Sequence, residues 1–113
     1  MTRTAHEVSA PILLLVAAPA GGSGVAAALE AARSAATAGT TVRVLFTDAG
    51  LDLLAGPWPD RLRAAGATLA LCARSARARG LAAEGTSPAI VWSSLTTFFG
   101  AGAAGARLWS LFP

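Results

Sequence analysis

The run "PILLLVA", Pro11–Ala17, limits the fold of this chain more than any other stretch. It is of strand length, with no polar residue to mark a solvent side, and "APAGGSG" breaks it immediately afterwards. An extended segment sends successive side chains to opposite faces, so this run needs apolar cover on both. That requirement points to a parallel sheet with helices packed on each side. The remaining sequence has the matching rhythm. "VAAALEAARSAATA" predicts an alanine-rich helix over 25–38, with Gly39 as its C-terminal cap. "TTVRVLFT" predicts a second strand, rich in β-branched residues, and "DAGLDLLAG" a short helical turn. Pro57 and Pro59 punctuate the way into a helical piece around "DRLRAAG". "ATLALC" predicts the third strand, "ARSARARG" a helical turn ended by Gly80, and "PAIVWS" the fourth strand. "SLTTFFGAGAAGA" predicts a helix weakened by glycine, and "RLWSLF" a fifth strand. The expected fold class is a three-layer α/β/α sandwich with a mainly parallel five-stranded sheet.

The chain has 113 residues, of which 54% are hydrophobic and 13% charged, so it is built to pack and is expected to form one domain over 1–113. All nine basic residues are arginine. The absence of lysine excludes Schiff-base chemistry, a P-loop lysine and a lysine general base. The net charge of +3 is modest, and the arginines are scattered except after Cys72, so no basic stripe for nucleic acid is present. Two segments bear on compartment. The first twenty residues mimic a signal peptide, but Glu7 stands where such a peptide is positive, and cleavage would remove the best strand. Pro88 to Ala106 carries no charge, yet its serines, threonines and glycines make it weakly apolar for lipid. With one cysteine and therefore no internal disulfide, the expected location is the cytoplasm, away from any membrane.

That cysteine lies in "LALCARSARARGL", Leu69 to Leu81, at the end of the third predicted strand. In parallel α/β sheets the carboxyl edge of the strands is where ligands bind. A turn into a helix directly after Cys72 would present free amides to the sulfur, and nearby guanidinium groups would add to the effect, stabilising a thiolate. Arg74 and Arg77, three apart, share a helix face, and Arg79 lies beyond them. The alternative is a cysteine serving as a small buried hydrophobe. Asp48 and Asp52 follow the second strand and can reach the same edge, although acids there commonly cap helices. His6, the only histidine, lacks obvious companions for a metal site with Cys72, so no metal and no cofactor are expected. "APAGGSG" lacks the ending of a P-loop and reads as a tight strand-to-helix turn. Trp58, Trp92, Trp109, Phe98, Phe99 and Phe112 are core or subunit-contact candidates, because so apolar a short chain has more hydrophobic surface than one small core hides.

The cysteine segment resembles the motif of the DsrE/DsrF-like family, the DsrEFH/TusD-like sulfur-relay proteins, with Arg79-Gly80 matching the family's Arg-Gly pair. "GTTVRVLFTDAGLDLLAG" and the closing "ARLWSLF" are similar to the family's second strand with its loop and to its last strand. The resemblance implies a cytoplasmic sulfurtransferase or sulfur carrier, with Cys72 holding sulfane sulfur as a persulfide and Arg74, Ser75, Arg77 and Arg79 lining the substrate side. It also implies sulfur donor and acceptor proteins of the TusA-like or rhodanese-like kind as partners, and a homo- or hetero-oligomer. Persulfide relay needs no second cysteine, whereas a dithiol mechanism would require one. Within the same fold, the alternative is a non-catalytic subunit or small-ligand binding module with Cys72 structural.

Overall fold

A computed structural model describes residues 10–100 and 105–113. Its sheet has five strands, β1 (Ile12–Val16), β2 (Val42–Phe46), β3 (Thr68–Cys72), β4 (Ile90–Ser93) and β5 (Arg107–Leu111), in the order β4-β3-β2-β1-β5. All four pairings are parallel. Every residue of β1 is buried, as its unbroken apolar run requires, and β1 sits inside the sheet between β2 and β5.

Topology divides the helices unequally between the two faces. From β1 to β4 the chain steps always towards the same edge, and right-handed crossovers then keep the connecting helices on one side. These are α1 (Val25–Thr37), α2 (Trp58–Ala64) and α3 (Ala73–Ala78), together with a 3-10 helix at Asp48–Ala55. Their cluster joins Leu14, Val44, Phe46 and Leu71 of the sheet to Leu29, Leu62 and Ala76 of the helices. Burying side chains of this size stabilises by roughly 1.5–3 kcal/mol each. The step from β4 back to β5 crosses the whole sheet, so α4 (Leu95–Gly100) lies on the opposite face. There Phe98 covers Leu13, Leu15, Leu45 and Ala70. A second 3-10 turn, Ala83–Gly85, precedes β4 and has no counterpart in the sequence expectations. The glycine-bearing end of the helix expected over "SLTTFFGAGAAGA" falls partly outside the described residues, as does His6.

Gly50 fixes how the 3-10 helix sits on the sheet. A Cβ added there would lie 2.0 Å from the Val16 carbonyl oxygen, so only glycine allows the helix to approach the end of β1 so closely. Two hydrogen bonds hold this crossing: Thr47 N–H to the Val16 carbonyl at 2.9 Å and Gly50 N–H to the Thr47 carbonyl at 2.8 Å.

Candidate functional site

Cys72 is the last residue of β3 and the N-cap of α3, with extended backbone (φ −76°, ψ 113°). It is buried to 9% relative exposure and lies level with Ser93 of β4. The turn places Ser75 one helical step beyond it. Ser75 Oγ lies 3.0 Å from Thr47 Oγ1, accepts a hydrogen bond from the Asp48 N–H at 3.3 Å, and donates to Asp48 Oδ1 at 3.0 Å. Asp48 adopts a left-handed backbone conformation, φ 48°, the only non-glycine residue to do so among the described residues. Aspartate tolerates that conformation better than most residues. Here it turns both the amide and the carboxylate of Asp48 towards Ser75.

Burial alone pushes the Cys72 thiol up, but the surrounding donors outweigh it and hold the thiol below its ordinary value. Those donors are the Ser75 backbone N–H, the Thr47 and Ser75 hydroxyls and the Arg74 backbone N–H. Each hydroxyl has one proton. While Ser75 donates to Asp48, its hydrogen is not available to sulfur, and a Thr47 hydroxyl that donates to Ser75 Oγ is likewise committed. A charged sulfur draws these protons towards itself, because hydrogen bonds to ions are the stronger ones. The amides need no such rearrangement. The site therefore accommodates negative charge on sulfur through fixed and rotatable donors.

The arginines of the segment divide into three roles. Arg79 Nη1 pairs with Asp52 Oδ1 at 3.2 Å, tying the end of α3 to the 3-10 helix. Arg77 lies over the Trp92 ring, 5.7 Å from its centroid, and Trp92 Nε1 donates to Thr86 Oγ1 at 2.9 Å. Arg74 is exposed and has no ion pair among the described residues. Gly80 supplies the C-terminal stop of α3. At φ 78° its N–H bonds the Arg77 carbonyl, and Leu81 N–H bonds the Ala76 carbonyl, which is a Schellman closure. A side chain at such a φ costs roughly 1–2 kcal/mol, so glycine after Arg79 is a backbone requirement. The "APAGGSG" loop leaves β1, with β2 standing between β1 and β3, and its Gly24 is the N-cap of α1.

The DsrE/DsrF-like family model matches residues 11–108, which spans β1 to β4, the Cys72 turn and the start of β5. The chain belongs to the DsrE/DsrF-like family. This is a sulfur-relay family, so sulfur-relay partners are the general class its members imply. Two solved structures share the fold with this DsrE-like chain. The YchN protein from E. coli superposes with a TM-score of 0.71 at 16% identity, covering 91% of this chain and 100% of that one. MTH1491 from Methanobacterium thermoautotrophicum, titled a protein of unknown function, gives a TM-score of 0.71 at 12% identity, with the same coverages of 91% and 100%. No curated protein matches the chain. No helix among the described residues is long and apolar enough to cross a membrane.

Sequence reasoning placed Asp48 and Asp52 near this edge but as helix caps. In the DsrE-like fold Asp48 orients Ser75, and Asp52 pairs with Arg79. It passed over Thr47 altogether. Thr47 and Ser75 are 28 positions apart and meet only because β2 and β3 are neighbours ending at the same edge. The available signal was the "FTD" ending of one strand beside the "LCARS" ending of the next.

Proposed function

We propose that this DsrE-like domain, comprising the whole chain, is an intracellular sulfur carrier that holds sulfane sulfur as a persulfide on Cys72 and passes it to a partner thiol. The observation that carries this reading is the place of Cys72, the last residue of β3 and the N-cap of α3 beside the Thr47–Ser75–Asp48 hydrogen-bond cluster, where the surrounding donors hold its thiol below the ordinary value. In uptake, the Cys72 thiolate attacks the outer sulfur of a donor persulfide. A bond forms between Cys72 Sγ and that sulfur, the donor's own S–S bond breaks, and the donor leaves as a thiolate. In delivery, an acceptor thiolate attacks the same outer sulfur and Cys72 is released as a thiolate. Neither step needs an external oxidant or reductant. Exposed Arg74 is the guanidinium of the segment available to an approaching partner, while Arg77 and Arg79 shape the turn that presents the site. Ser75 is a positioning residue with a direct bond to offer the sulfur.

The test is intact-protein mass spectrometry after incubation with a persulfide donor, on the native chain and on Cys72→Ser. One added sulfur atom on the native chain alone, removed by a reductant or by a carrier thiol, is the expected outcome. An unchanged mass, with a thiol that alkylates only after unfolding, would assign Cys72 a packing role and make the chain a non-relaying subunit of the same fold.

The same reading includes assembly with other subunits. Leu108, in the edge strand β5, is 56% exposed, and Phe112, directly after that strand, is 64% exposed. Large apolar side chains exposed on and beside an open edge strand favour association, since leaving them in water forgoes their burial. Light scattering is expected to give a mass above that of one chain. A strictly monomeric mass at micromolar concentration would remove this part of the reading.

A further inference from the structure

A cavity of about 160 Å³ lies on the α4 face of the sheet. Its walls include Arg43, Thr68, Val91, Ser93, Thr97 and Phe98. Among the described residues, Arg43 is the one charged residue in this lining. Its guanidinium lies over the Phe98 ring, 5.2 Å from the centroid, and has no ion-pair partner among the described residues. A guanidinium that packs on a ring can still offer its N–H fork to another partner. The segment forming β4 and α4 brings no counter-charge, since Pro88 to Ala106 contains no acidic residue. A partly buried cation beside three hydroxyl-bearing residues and without a carboxylate is a receptor for an anion.

The cavity also has a fixed relation to the sulfur. Ser93, in its wall, is level with Cys72 on the neighbouring strand. Cys72 is two residues beyond Ala70, which also lines the cavity, so both side chains leave β3 on the α4 side. Arg43 is level with Thr68, four residues below Cys72, and four strand residues span about 13 Å. That sets an upper limit on ligand length, because Arg43 and Ser93 line the same cavity. A cavity of about 150 Å³ takes up a benzene-sized molecule, so this one has room for a carboxylate with a few attached carbons.

Resting on the relay reading above, we propose that this cavity is an acceptor subsite: it holds the carboxylate of a low-molecular-weight thiol whose sulfur then takes the persulfide sulfur from Cys72. The Arg43 fork binds the carboxylate, and the hydroxyls of Thr68, Ser93 and Thr97 complete its shell. The bound thiolate attacks the outer sulfur of Cys72–S–SH and forms a new S–S bond. The bond between that sulfur and Cys72 breaks, Cys72 leaves as a thiolate, and the transferred sulfur keeps its proton. The chain thereby delivers sulfur to a small molecule as well as to a protein thiol.

Two measurements separate the subsite from the relay. Calorimetry on Cys72→Ser titrated with mercaptopropionate reads the subsite without any sulfur chemistry, and Arg43→Gln in the same background is expected to weaken binding about tenfold. Thr97→Val keeps the side-chain shape and is expected to weaken it less. Stopped-flow release of sulfur from the persulfidated native chain is then compared for mercaptopropionate and mercaptoethanol. The expected ratio favours the carboxylate thiol about tenfold after allowing for their thiol acidities, and in Arg43→Gln it falls towards one. Equal binding by Arg43→Gln and its parent, no binding of mercaptopropionate at millimolar concentration, or tighter binding of thiosulfate than of the carboxylate thiol would each overturn the proposal. If Cys72 fails to accept sulfur while mercaptopropionate still binds through Arg43, the relay has failed and the anion subsite stands.

Discussion

Gly50→Ala is expected to destabilise the fold by about 2–4 kcal/mol, read as a lower midpoint in urea with little change in slope. The added methyl would stand 2.0 Å from the Val16 carbonyl oxygen, against backbone rather than a side chain that can rotate away. The 3-10 helix must therefore lift from the end of β1. Doing so strains the bonds from Thr47 N–H to Val16 and from Gly50 N–H to Thr47. Leu51 and Leu53, both buried in the large cluster, move with it. Thr47 and Asp48 are the residues that meet Ser75, so the same substitution is expected to slow alkylation of Cys72 near neutral pH even in the folded fraction. A variant as stable as the native chain would show that the helix can shift without cost and that the close approach is incidental.

Ser75→Ala is expected to raise the pH midpoint of Cys72 alkylation and to slow the reaction at neutral pH by about threefold to tenfold. The Ser75 hydroxyl and backbone N–H both favour the charged sulfur, and the substitution removes the hydroxyl while the backbone N–H remains. A hydrogen bond to a charged group contributes about 1.5–3 kcal/mol, which sets the upper end of the effect. The fall in rate is smaller than the fall in thiolate, because a more basic thiolate is intrinsically more reactive. At pH well above both midpoints the variant is expected to react at least as fast as the native chain. A merely steric change would lower that alkaline plateau and leave the midpoint in place.

The same thiol makes stability depend on pH, and its sign follows from the lowered value. The unfolded chain holds the proton to higher pH than the native chain does, so stability rises between the native and the unfolded thiol values. The contribution is present above the unfolded value and is lost as pH falls through the native one. Cys72→Ser is expected to flatten this alkaline rise.

What the sequence determined by itself was whatever depends on neighbours along the chain. An unbroken "ILLLV" admits no solvent face, which put β1 inside a parallel sheet before any partner was known. Glycine after an alanine-rich stretch or after Arg79 stops a helix by local backbone geometry, and Gly39 and Gly80 do so at φ 99° and 78°. A cysteine closing a strand before an arginine-rich turn placed the thiol at the working edge, and the resemblance of that segment named the family. Tertiary structure decided which groups meet. Asp48 read locally as a cap, and only the juxtaposition of β2 and β3 turned it towards Ser75 across 27 positions. The sequence put Arg74 and Arg77 on one helix face with Arg79 beyond them, and the distinct roles of the three came from Asp52 and Trp92, which lie on other elements. Arg43 had no distinguishing mark inside "TTVRVLFT"; Phe98, 55 positions away, set its ring beneath the guanidinium. Local propensity and burial pattern act over a few residues and so are legible in order. Electrostatic and hydrogen-bonding partners are chosen in three dimensions, where the crossing of chain segments sets the distances.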